Sequence, residues 1–90
     1  MRFEWDSEKA KQNFNKHKVS FDEAKTVFGD PFFVVFLDPD HSSVERRFII
    51  IGESDHKRLL VVSYTERAAT RLISARKATR KERKQYEEDI

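Results

Sequence analysis

The 90 residues fit one domain near the small end of what a single core supports, and that domain is expected to span residues 1–90. Apolar and charged residues each make up 38% of the chain, and eight Phe argue against disorder. Cysteine is absent, which excludes a disulfide staple and a thiolate metal site, and no apolar run approaches the ~20 residues of a membrane span. The first six residues carry acids where a signal peptide has its apolar region, so the expected location is the cytoplasm.

Taken in order, Phe3 faces one way and Arg2 and Glu4 the other, the alternation of a short edge strand that ends at Trp5. Asp6 then caps a helix over residues 7–17, because its carboxylate can accept from the unpaired first-turn amides. The apolar stripe of that helix is thin, Ala10 and Phe14, with Asn13 and His17 at its border. Ser20 and Glu23 form an S-x-x-E capping box for a second helix, with Val19 stapled onto Ala24. Phe21, Ala24, Val27 and Phe28 give its buried face, Gly29 supplies a left-handed end, and Pro31 prevents continuation.

Residues 32–37, Phe-Phe-Val-Val-Phe-Leu, predict a strand covered on both faces. Residues 38–43 are a turn cluster, and 45–53 a second strand with Gly52 at its end or in a bulge. A polar hairpin loop over 54–58 leads to a third strand over 59–65. A short connection at 68–70 leads to a fourth over 71–76, and connections this short favour an antiparallel meander. Thr79 and Glu82 make a second capping box, opening a charged last helix that Tyr86 alone can anchor. The fold class is therefore α+β in two layers. It comprises a short N-terminal strand, two helices, an antiparallel sheet of three to four further strands with helices on one side, and a C-terminal helix.

Several chemistries are missing. His17, His41 and His56 have no neighbour at metal-ligand spacing, and two glycines cannot build a phosphate-cradling loop. No nucleophile elbow and no cluster of acids for a two-metal site occurs. No cofactor is expected. What remains is cationic. From Glu66 to Tyr86 eight Lys/Arg face two acids, a local balance of +6 in a chain of net charge +2 and pI near 9.0. Arg suits phosphate because its planar fork stays charged and bonds in pairs. By period two, Ser63, Thr65 and Arg67 share one strand face, and Leu72, Ser74 and Arg76 share another. Lys77 and Arg80 continue into the helix start, where the macrodipole also favours an anion, and Arg47 opens the second long strand after Glu45. In a meander these residues can converge at one end of the sheet. A solvated face competes as the reading of Lys81 and Lys84, and Arg67 and Arg76 can serve merely as partners of Glu45, Glu53 or Glu66. His17 reads first as a helix-end residue favoured by the dipole, and Trp5 as core. The residues alone describe a small basic α+β domain for RNA, DNA or an acidic protein.

An ordered set of fragments carries this further: Phe3-Glu-Trp-Asp6, Lys9, Asn13, Lys16-His17, Val19-Ser-Phe-Asp-Glu-Ala24 and Val27-Phe-Gly-Asp-Pro31. They continue with Glu45-x-Arg47-Phe48, Ile51-Gly52, Leu60-Val-Val, Thr65-Glu-Arg67, Arg71-Leu-Ile-Ser-Ala-Arg-Lys-Ala-Thr79, Glu82-Arg83 and Tyr86. In this order and spacing the chain resembles the BrnT family of toxins of type II toxin–antitoxin systems, over nearly its whole length. The resemblance implies a RelE-like fold and a metal-independent endoribonuclease that cleaves RNA and slows growth. It also implies a cognate, BrnA-like antitoxin with a DNA-binding part, in a hetero-oligomer that can form through a toxin dimer. Carried onto matched positions, it implies Arg67 and Arg76 as transition-state stabilisers and His17 and Glu45 as acid/base groups. Lys16, Arg47, Lys77, Arg80 and Arg83 are then RNA-binding cations. Two positions depart from the family pattern: Lys18 stands where Gly is usual, and Arg46 where a second acid commonly precedes Arg47. The competing reading is a binding module for nucleic acid or an acidic protein, without catalysis.

Overall fold

The runs of β-branched and aromatic residues pair with their chain neighbours, as short turns dictate. The computed structural model describes residues 1–41 and 45–88. Its strands are β1 (Phe3–Glu4), β2 (Val34–Leu37), β3 (Arg47–Glu53), β4 (Leu59–Glu66) and β5 (Thr70–Lys77). β2 to β5 form the antiparallel meander, and β1 joins its far edge parallel to β5, giving the order β1-β5-β4-β3-β2. The helices are α1 (Ser7–His17), α2 (Phe21–Ala24) and α3 (Arg80–Glu88), with 3₁₀ turns at Lys25–Gly29 and Pro39–His41. The fold is α+β. The part of the expected turn that falls on Ser42 and Ser43 lies outside the described residues.

Three helix starts follow their caps. Asp6 Oδ1 accepts from the amides of Glu8 and Lys9 at 2.8 and 3.0 Å. Thr79 and Glu82 bond reciprocally: the Glu82 amide donates to Thr79 Oγ1 and the Thr79 amide to Glu82 Oε1. The Ser20–Glu23 box is only half made. Ser20 Oγ accepts from the Glu23 amide, but the Glu23 carboxylate turns inward to Ser54 Oγ at 2.6 Å and to the Arg58 guanidinium. Glu23 is 4% exposed, and the Arg58 hydrogen bonds hold its carboxyl below the usual range against the cost of burial. Arg58 also donates to the carbonyl of Lys18, tying the β3–β4 hairpin to the end of α1.

Several expectations are corrected. The helices are not on one side of the sheet. Residues of alternating parity point to opposite faces, and the two sets are covered differently. Ile50, Leu60, Val62, Tyr64, Leu72 and Ala75 pack with Val19, Phe21, Ala24 and Val27 on the face of α1 and α2. Ile51, Leu59 and Val61 pack on the opposite face with Ala78 and Tyr86 from the C-terminal segment. The strand at residues 32–37 is not covered on both faces. It begins at Val34 and lies at the sheet edge, so its core-facing neighbours occupy one side only. Gly29 is not left-handed: the 3₁₀ turn ends instead at an extended Asp30, while Lys18, with φ 59° and ψ 34°, takes the left-handed position after α1. Gly52 lies inside β3 rather than ending it or marking a bulge. A Cβ there would come within 3.0 Å of the Val27 carbonyl oxygen, so the glycine lets β3 approach the 3₁₀ turn. The bulge is at Ser63/Tyr64 opposite β5.

β1 covers only the first residues of β5. Beyond them Asn13 takes the place of a strand. Its Oδ1 accepts from the Ala75 amide at 3.0 Å, and its Nδ2 donates to the carbonyls of Ala75 at 2.9 Å and Val19 at 3.0 Å. One side chain thus satisfies buried backbone groups on β5 and on the connection between α1 and α2.

Candidate nucleic-acid interface

The register of β4 and β5 decides where the cations go. Thr65 pairs with Arg47 on one side and Arg71 on the other, and Arg71 pairs with Glu4. Arg47, Thr65, Arg71 and Glu4 therefore form a row across one end of the sheet, on the face opposite α1. Arg71 Nη1 lies 3.8 Å from Glu4 Oε1, and the buried Thr65 hydroxyl has no hydrogen-bond partner among the described residues. Just past that row, in the β4–β5 turn, Arg67 Nη2 donates to Glu45 Oε2 at 2.8 Å. Both side chains remain substantially exposed, 52% and 40%. One end of the sheet thus brings together Glu45, Arg47, Arg67 and Arg71.

Arg76 is elsewhere. It pairs with Val61, six residues before Arg67 on β4, which places the two arginines about 20 Å apart along the strand. The expected convergence at one sheet end does not occur, because β5 runs back along β4 and carries its two ends to opposite limits of the hairpin. The bulge also breaks the expected parity: Leu72 faces the α1 side, while Ser74 and Arg76 face the other. Arg76 makes a paired bond with Glu82, Nη1 to Oε1 at 2.7 Å and Nη2 to Oε2 at 2.8 Å. That bond holds the Glu82 carboxyl down to about 2 and raises Arg76. Because Glu82 also caps α3, one carboxylate sets both the helix start and the direction of the guanidinium. Lys77, Arg80 and Arg83 are exposed at this second end, where Lys77 and Arg83 line a shallow depression with Lys57 and Arg58.

Lys16 and His17 form a third group. They end α1 and line a cleft of about 300 Å³ with Lys9, Gln12, Ile73 and Ser74, at the open edge of β5. His17 and Glu45 are thus on different parts of the molecule and cannot act on one phosphate together. Three contributors were not singled out from the sequence. Arg71 joins the Arg47 row, which strand parity shows only once the bulge is placed. Glu82 holds Arg76, a role hidden behind its capping motif. Lys9 lies seven residues, two turns, before Lys16 along the same side of α1, a period-3.6 signal that was available. No group of residues that could hold a metal ion occurs among the described residues, and no described helix is long and apolar enough to cross a membrane.

A search of curated protein sequences finds no match. Among solved structures, the chain is similar to the 1.1 Å crystal structure of the Brucella abortus ribonuclease toxin BrnT, with a TM-score of 0.65 and 23% identity. The match covers 89% of this chain and 99% of that one, and it establishes a shared fold. Residues 5–82 match the family described as the ribonuclease toxin BrnT of type II toxin–antitoxin systems. That span holds Glu45, Arg47, Arg67, Arg71, Arg76 and Glu82 together, and the chain belongs to the BrnT family of ribonuclease toxins, components of type II toxin–antitoxin systems whose counterpart is an antitoxin.

Proposed function

We propose that the protein is a metal-independent endoribonuclease that arrests growth by cutting RNA and is neutralised by a BrnA-like, DNA-binding antitoxin. The observation that carries this is the Glu45–Arg67 pair beside Arg47 and Arg71: an acceptor for a proton and three cations for a phosphate at one exposed sheet end. Glu45 takes the proton from a ribose 2′-hydroxyl. The O2′–P bond forms as the P–O5′ bond breaks, and the proton goes to the departing O5′, leaving a cyclic phosphate and a 5′-hydroxyl. Negative charge grows on the phosphorane oxygens, where Arg67 and Arg47 meet it. Arg76, with Lys77, Arg80 and Arg83, grips the RNA chain farther along the same hairpin, so its loss weakens binding more than turnover. His17 and Lys16 lie off this path and serve at most an outlying phosphate.

The test is cleavage of a defined RNA in EDTA by single variants whose folding is checked by circular dichroism. Arg67→Ala and Glu45→Gln should each lose roughly 10²-fold or more in kcat. Arg76→Ala should raise KM, and His17→Ala should cut near the parental rate. Parental rates for both Arg67→Ala and Glu45→Gln would sink this assignment. Salt-dependent binding of nucleic acid with no fragments at all would favour the binding-module reading instead.

A further inference from the structure

The segment from Asp30 to Asp40 carries three acids and no base, in a chain whose net charge is +2. At its centre is β2, the outer strand on the side of the sheet away from β1. β2 pairs with β3 alone, so along its other side it has no strand neighbour among the described residues. Large apolar side chains are exposed along the same run: Phe32 53%, Phe33 44%, Val35 42% and Leu37 45%. Val35 and Leu37 stand opposite Ile50 and Phe48, on the face that α1 and α2 cover farther in, and that cover stops short of them. Val34 and Phe36, of the other parity, are already packed in the second cluster. An edge strand with no charge of its own and an apolar row beside it is a template for another strand. Proteins normally blunt such edges with Lys, Pro or a bulge inside the strand, and β2 has none of these.

We infer that β2 is the docking edge for the antitoxin, which adds an extended segment there as a sixth strand. The segment has apolar residues at alternate positions, seated against Val35 and Leu37, and a Lys or Arg at the end that meets the exposed Asp40. Main-chain hydrogen bonds supply affinity in this mode and the alternate side chains supply specificity. The inference rests on the toxin–antitoxin family for the existence of the partner and on the edge itself for its chemistry. RNA is excluded by the acids. A second copy of the chain fits badly in either direction. Antiparallel self-pairing lays Asp30 of one copy near Asp40 of the other, and parallel pairing lays each acid beside its equal, so like charges meet at both ends. The C-terminal end of β2 adjoins the Glu45–Arg67 end, since Leu37 pairs with Phe48 and the Asp38 amide donates to the Arg47 carbonyl at 2.8 Å, so a partner anchored on β2 can extend directly over that cationic face.

The probe is the antitoxin encoded with the toxin, titrated into the full-length chain. Amide hydrogen exchange over residues 32–38 should slow on binding. Val35→Lys and Leu37→Lys should each weaken antitoxin binding by roughly tenfold or more while leaving the fold and the RNA cleavage of the free toxin unchanged. Parental antitoxin affinity in both variants, with unchanged exchange over 32–38, overturns the proposal. Concentration-dependent dimerisation of the toxin alone that Leu37→Lys abolishes also overturns it, in favour of a second copy. Failure of the parent toxin to cut RNA would count against the nuclease reading and not against this one, because antitoxin binding is measured separately.

Discussion

Replacing Asn13 with Ala removes the side chain that closes the free part of β5. The carboxamide makes three hydrogen bonds, at 2.9–3.0 Å, to the Ala75 amide and to the carbonyls of Ala75 and Val19. Both partner residues are fully buried. An unmet buried backbone group costs about 1–3 kcal/mol. The space vacated opens toward the cleft between α1 and β5, so water can rehydrate part of the loss, and the low end applies to each group. The sum is then about 3 kcal/mol, a large share of the roughly 5–15 kcal/mol that holds a domain of this kind together. With a urea slope of roughly 1.5 kcal/mol per molar, the unfolding midpoint should fall by about 2 M. Amide exchange at Ala75 should rise from among the most protected positions to that of local opening. A midpoint within about 0.3 M of the parent, or an unchanged Ala75 exchange rate, would refute the bridge as the element that secures α1 to the sheet.

Lys18→Gly should stabilise the fold by about 0.5–1 kcal/mol, since Lys18 holds φ 59° where glycine pays no steric cost. A Tm raised by several degrees checks it, after allowing for loss of the exposed Lys18–Phe14 contact. Arg58→Ala should cost about 3 kcal/mol in chemical denaturation, because it leaves the buried Glu23 carboxylate with only Ser54 Oγ and the exposed His56 ring as partners among the described residues. In the parent, that carboxylate's lowered pKa means its stabilisation is full above the ordinary Glu range and is lost as pH falls below it. In Arg58→Met the sign should reverse, with stability falling as pH rises through a raised Glu23 pKa. Glu82, held to about 2 by Arg76, should contribute about 1–2 kcal/mol after solvent screening, present above pH 4.5 and lost between there and about 2. Glu82→Gln should flatten the stability profile over that window.

The parts of the fold legible in the sequence are those that local chemistry determines. Asp6, Ser20 and Thr79 start their helices where their side chains can cap them, and the turns between β3, β4 and β5 force a meander. What was not legible depends on long-range register. The bulge at Ser63/Tyr64 flips the parity of β5, so Arg76 shares a face with Val61, while the antiparallel run of β5 along β4 carries it far from Arg67. Only the tertiary fold shows that Glu23 turns from its own helix cap to Arg58, thirty-five residues away. The exposure of residues 32–37 follows from their place at the edge, and an apolar run looks the same in the sequence whether its neighbour is present or awaited. At the candidate site the cations were visible from composition and Glu45 was among the partners expected for Arg67, whereas the pairing of Arg76 with Glu82 at the other end was not.

The Asn13–Ala75 bridge and the parallel β1–β5 pair also set the order in which the chain can assemble. β2, β3 and β4 are sequential hairpins and need only short loops to close, whereas β1 finds its partner 67 residues later and α1 62 residues later. Long closures come late in folding. During synthesis the N-terminal strand and helix therefore wait for β5, and Arg76 and α3 follow later still. A chain interrupted before Thr70 has its first two elements undocked, and with Arg71 and Arg76 still unmade it lacks cations from both ends of the interface. The cationic ends of the sheet are thus completed only when β5 has been made, whereas β2 gains its place at the edge as soon as β3 pairs with it.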